Sequence, residues 1–151
     1  MSDTVGAVHT SAVGASTDLV KHLLLGAQAT SAALTAIGAR HDLTVDEWLI
    51  LDALDSADGI AMSAISQQTL ASGASLTRAV DRLVTSSLVY RAPSAVDRRK
   101  VEVRISALGR ERHAAMRSEV QALDLALRSI LAADADSVTA ALAQVVADTA
   151  R

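Results

Sequence analysis

The chain has 151 residues, enough for one domain with a buried core; half are hydrophobic, yet only Trp48 and Tyr90 are aromatic. A core of Ala, Leu, Val and Ile, with a single proline at position 93, favours closely packed helices. Cysteine is absent, which excludes disulfides and thiolate-based metal or redox sensing, and the formal net charge is −3. The first 16 residues have no basic n-region and no continuous apolar run, so they read as a flexible arm, not a signal peptide. No apolar stretch reads as approaching the ~20 residues of a membrane span, and the expectation is a cytoplasmic protein with no membrane partner.

In residues 17–38 the apolar positions Leu19, Leu23, Ala27, Leu34 and Ile37 recur at helical spacing, with Gly38 as the expected C-cap. A short connector leads to a cap at Thr44 or Asp46. The next helix, "VDEWLILDALDSA", is apolar on most faces and should therefore be central. "DGI" ends it. "MSAISQQTL" is a short helix. After a break, Ser72 is expected to cap "GASLTRAVDRLVTSSL", whose buried face is Leu76, Ala79, Val80 and Leu83. Its opposite face carries Ser75, Arg78, Arg82 and Thr85, so small polar groups precede two arginines one turn apart.

The period then changes. "LVYRA" is strand-like, Pro93 to Asp97 turn, and "KVEVRIS" alternates strictly, with Val101, Val103 and Ile105 expected on the buried face. The pair predicts a β-hairpin. From Leu108 a coiled-coil-like seam of Met116, Val120, Leu123, Leu127 and Ile130 marks one long helix; "AADAD" interrupts it before a last helix with Val138, Leu142 and Val145 on one side.

Charge is unevenly placed. Residues 78–117 hold ten basic and four acidic side chains, a local balance of +6 in an acidic chain. That asymmetry suits a localised anionic partner. Two short helices followed by a two-stranded wing describe a winged helix-turn-helix, with the second short helix entering the major groove of double-stranded DNA. Ser72, Ser75 and Thr77 in its first turns can approach phosphates or base edges, and Arg78 and Arg82 can reach guanine or the backbone. Arg91 lies on the first strand. Arg98, Arg99 and Lys100 crowd the hairpin loop, where an arginine can enter a narrow minor groove. Asp97, two residues before Arg99, is expected to hold that guanidinium in a bidentate pair before DNA arrives.

The pieces "LTRAVDRL", "SSLVYR" and "DRRKVEVRISALGR" make residues 43–111 resemble the core of the multiple-antibiotic-resistance-regulator (MarR) family. The resemblance implies a mainly α fold with a small β-hairpin wing and N- and C-terminal dimerisation helices. It further implies one MarR-type domain over 1–151, with dimerisation helices at 17–38 and 108–150 and the DNA-binding unit at 43–107. Such proteins are homodimers, usually repressors, on pseudo-palindromic operators. Many release DNA when a small, often aromatic effector binds between the two regions. Ser72 to Leu88 match the recognition helix, and Asp97 with Arg99 match the aspartate–x–arginine wing motif. Three features depart from the family pattern. Ser87 stands where glycine is usual, Ser106-Ala107 should weaken the cap of the long helix, and Ala71 with Gly73 make the start of the recognition helix plainer.

His41 and Trp48, near the connector, are the candidate effector contacts, with core packing an equal expectation for Trp48. The four histidines are scattered without a pairing motif, so neither a metal nor another cofactor is expected. No phosphate loop, nucleophile elbow or carboxylate pair supports an enzyme. The alternative is a helical interaction module whose basic face meets an acidic protein, which would have no need of the wing.

Overall fold

A computed structural model describes residues 17–149; the N-terminal arm, with His9, lies outside the described residues. The elements are α1 (Asp18–Ala39), α2 (Val45–Asp55), α3 (Met62–Gln68), α4 (Gly73–Thr85), β1 (Val89–Pro93), β2 (Val101–Ile105), α5 (Ala107–Leu131) and α6 (Ala135–Thr149), with a 3-10 turn at Ala132–Asp134. The fold is thus mainly α with one antiparallel hairpin.

Helix α2 is the centre of the molecule. It starts in a capping box: Thr44 Oγ1 accepts from the Glu47 N–H at 3.2 Å, and Glu47 Oε2 accepts from the Thr44 N–H at 2.8 Å. Trp48, Ile50, Leu51 and Leu54 are buried, and the helix packs against α1, α3, α4, α5 and β2. Each such aliphatic side chain, fully buried, contributes about 1.5–3 kcal/mol. The apolar faces of α4 (Leu76, Ala79, Val80, Leu83) and α3 (Ile65) close the same core.

Two helix ends differ from the sequence expectation. Helix α4 stops at Thr85, short of Leu88, because Ser87 takes a left-handed conformation, φ 60°. The Leu88 N–H then bonds the Leu83 carbonyl and the Ser87 N–H bonds that of Val84, each at 2.9 Å, which is a Schellman stop. In α1, Gly38 is not the cap but a buried residue inside the helix. The Leu43 carbonyl packs where its Cβ would stand, and Asp42, φ 53°, makes the left-handed turn instead.

In the hairpin, Val89 pairs with Ile105 and Pro93 with Val101. Ile60, from the segment read only as a helix terminator, adds a third edge through two bonds with Val103, at 3.1 and 2.9 Å. Val103 and Ile105 are buried as the alternation requires, but Val101 is exposed. It pairs with Pro93 at the loop end of the hairpin, away from the buried Val89–Ile105 end.

Ser106 caps α5 after all: its Oγ accepts from the Gly109 N–H at 2.9 Å and donates to the Ser87 carbonyl at 2.7 Å. The seam of α5 is buried at Met116, half-buried at Val120 and Leu123, and exposed at Leu127 and Ile130. Contrary to expectation, Ala107–Asp148 contains a window long and apolar enough by composition to cross a membrane. The 3-10 turn breaks the stretch, and its apolar side chains belong largely to the exposed faces of α5 and α6.

Candidate nucleic-acid interface

Because Leu76, Ala79, Val80 and Leu83 anchor α4, its other face is turned outward. Ser72, Thr77, Arg78 and Arg82 are exposed and Ser75 is half-buried. Ser72 occupies the N-cap position, but the capping bond comes from Ser75, whose Oγ accepts from the Ser72 N–H at 3.1 Å and donates to its carbonyl at 2.7 Å. Thr77 Oγ1 donates back to the Gly73 carbonyl at 3.2 Å. Arg78 forms no ion pair among the described residues. Arg82 is different: its Nε donates to Oε1 of the buried Glu47 at 2.7 Å.

The wing is built by its backbone. Buried Ser94 accepts through Oγ from the N–H groups of Val96, at 3.2 Å, and Asp97, at 3.4 Å. The Ser94 N–H donates to the Lys100 carbonyl at 2.8 Å, and the Lys100 N–H to that of Asp97 at 2.9 Å. Asp97 Oδ1 then accepts from the Arg99 backbone N–H at 3.1 Å. This corrects the expected pairing: the carboxylate holds the main chain of Arg99, not its guanidinium. Arg98, Arg99 and Lys100 remain exposed around the tip. Arg91 Nη2 donates to Asp81 Oδ1 at 2.8 Å, tying the first wing strand to α4. Glu47, Asp81 and Ser94 were not picked out from the sequence. Only Ser94 left a signal there, a serine three residues before an aspartate in a turn.

His41 and Trp48 are not brought together at one opening. His41 Nε2 meets Glu119 Oε1 at 2.7 Å, and Arg40 Nε donates to Oε2 of the same carboxylate at 3.1 Å. These bonds hold the Glu119 carboxyl below its ordinary range, Arg40 having the larger effect. His41 borders a cleft of about 410 Å³ with Arg40, Glu111 and Arg112. Trp48 lies in the core with its ring stacked on His113, centroids 6.1 Å apart. A largely apolar opening of about 630 Å³ lies between α1, the first turns of α2 and the α5–α6 end. Leu23, Ala27, Leu34, Val45, Leu49, Leu70 and Leu142 line it, and neither candidate does. No group of three or more histidines and carboxylates that could hold a metal occurs among the described residues.

A family model described as the MarR family matches residues 41–100, from the end of α1 to the wing tip. Over this stretch the chain is similar to the MarR family of transcriptional regulators. Among curated proteins none matches it. Several solved MarR-family structures share its fold. A variant of MarR from E. coli, complexed with operator DNA, is 25% identical with a TM-score of 0.72, covering 85% of this chain and 93% of that one. BpsR of Bordetella bronchiseptica, whose DNA binding is regulated by 6-hydroxynicotinic acid, is 22% identical with a TM-score of 0.73 and coverages of 87% and 95%. The PcaV regulator of Streptomyces coelicolor, in complex with its natural ligand, is 21% identical with a TM-score of 0.69 and coverages of 91% and 100%. The winged-helix MarR fold therefore extends over α1, α5 and α6 as well as the matched centre.

Proposed function

We propose that this chain is a MarR-family, sequence-specific DNA-binding repressor that works as a homodimer, placing α4 in the major groove and the wing against the adjacent minor groove. The observation that carries this reading is the Arg91–Asp81 tie. It fastens the wing to α4, so that Arg78, Arg82, Arg98, Arg99 and Lys100 are presented by one connected unit on an otherwise acidic chain. Residues 43–107 form that unit. Residues 17–38 and 108–150 supply the dimer, since Leu19, Val20 and Leu24 of α1, Leu125 and Ile130 of α5 and Leu142 of α6 are exposed and need a cover. The apolar cleft beside α2 suits a small aromatic effector, consistent with the regulation of BpsR by 6-hydroxynicotinic acid.

The test is selection of bound duplexes from a randomised library, followed by sedimentation of the complex. The expected product is a pseudo-palindrome with half-sites about one helical turn apart, carrying two chains. Recovery of no preferred sequence, or of an asymmetric site occupied by one chain, overturns the reading.

A further inference from the structure

Glu47 and Arg82 form a one-sided pair. The carboxylate side chain is 8% exposed and the arginine side chain 58%. Glu47 is fixed before it meets Arg82, because its Oε2 is already engaged by the Thr44 N–H of the α2 cap. Its second oxygen takes only the Nε–H of Arg82, at 2.7 Å. A guanidinium carries its donors in a rigid fork, so a bond at Nε fixes the plane of the group and leaves both terminal Nη groups for another acceptor. Neither Nη group of Arg82 has an ion-pair partner among the described residues, and the side chain stands on the outward face of α4. Arg78, one turn earlier, has no such anchor.

We infer that Glu47 is a positioning residue that orients Arg82 as a base-reading arginine of the recognition helix. The inference rests on the DNA-binding reading above. An arginine held in one rotamer before contact loses less freedom on binding, and its plane is set for the paired acceptors of a guanine edge. A purely structural bridge between α2 and α4 would have no effect on base choice.

Glu47→Gln separates the two roles. Glutamine serves in a capping box as glutamate does, so the Thr44 bond and the fold survive. With its one amide oxygen on the Thr44 N–H, however, its NH2 group faces the Nε–H of Arg82, donor against donor. The experiment measures binding of wild type, Glu47→Gln, Arg82→Ala and the double variant to the duplex selected by the wild type. Single-base variants of that duplex are included at physiological salt. Glu47→Gln and Arg82→Ala should each weaken operator binding about tenfold. Both should relax preference at the same base pair of each half-site, and the double variant should be no worse than Arg82→Ala alone. Thermal unfolding of Glu47→Gln should stay close to wild type. Three results overturn the inference while leaving the function standing: Glu47→Gln keeps the base preference, it changes binding to all sequences by one common factor, or its effect adds fully to that of Arg82→Ala. If the wild type selects no sequence at all, the functional reading fails and this inference falls with it.

Discussion

Ser87 and Gly109 lie on opposite sides of the joint between the wing and α5, and each is at odds with its own chemistry. Ser87 has a Cβ in the left-handed region, which costs an L-residue roughly 1–2 kcal/mol relative to helical backbone. The Schellman bonds of α4 and the buried Leu88 that follows hold it there. Gly109 has no Cβ where a helix would prefer one, because the Leu88 carbonyl occupies that space and Ile105 Cγ1 lies 2.8 Å from it. Substitutions at the two sites should therefore move stability in opposite directions. Ser87→Gly should stabilise by about 1 kcal/mol, raising the melting temperature by roughly 2–4 °C for a chain of this size. Gly109→Ala should destabilise by more than about 2 kcal/mol, since backbone must shift to admit the methyl group. Thermal unfolding followed by circular dichroism checks both. Equal and small effects would show that the joint is soft.

At the scale of the element, the wing is a turn wound around two side-chain acceptors, Ser94 and Asp97, with its cations outside. Asp97→Ala removes the acceptor for the Arg99 N–H and should weaken DNA binding by up to about fivefold, through a loosened tip. The loss should persist in an Arg99→Ala background, because Arg98 and Lys100 depend on the same turn. Asp97→Asn keeps an acceptor and sheds a charge that repels phosphate, so it should bind at least as tightly as wild type. Anisotropy titrations on the selected duplex decide the matter, and an Asn variant as weak as the Ala variant would refute the turn role. Elements of this kind were legible wherever one period governs a segment: the 3–4 spacing of α4 and the alternation at Val103 and Ile105 mark buried faces directly. The partners of the functional side chains were not. Glu47 lies 35 residues from Arg82, and nothing in its local pattern points to so distant a partner. Asp97 reads as a partner for the Arg99 guanidinium, because sequence spacing does not distinguish a side chain from the backbone N–H at the same residue. Val101 fits the alternation yet lies beyond the cover that alternation assumes.

At the scale of the whole molecule, polar ties between distant segments join α5 to the end of α1 and to the central helix α2. Arg40 and His41, at the end of α1, converge on Glu119 of α5. The folded-state carboxyl there titrates below its ordinary value. Its contribution to stability is therefore complete above the ordinary glutamate range and is lost as pH falls through the lowered folded value. Glu119→Gln should flatten that acid limb in urea titrations taken at successive pH values and leave the alkaline limb unchanged; an unchanged acid limb would remove the tie from the account. A second tie runs between α2 and α5, where buried His113 meets Asp52 at 3.0 Å and stacks on Trp48. Trp48 is the chain's only tryptophan, so all indole emission originates at the contact where the central helix α2 meets the long helix α5. An imidazole ring against an indole alters its fluorescence according to their separation. The unlabelled protein thus carries an optical gauge of that one contact, readable during a titration with operator or effector.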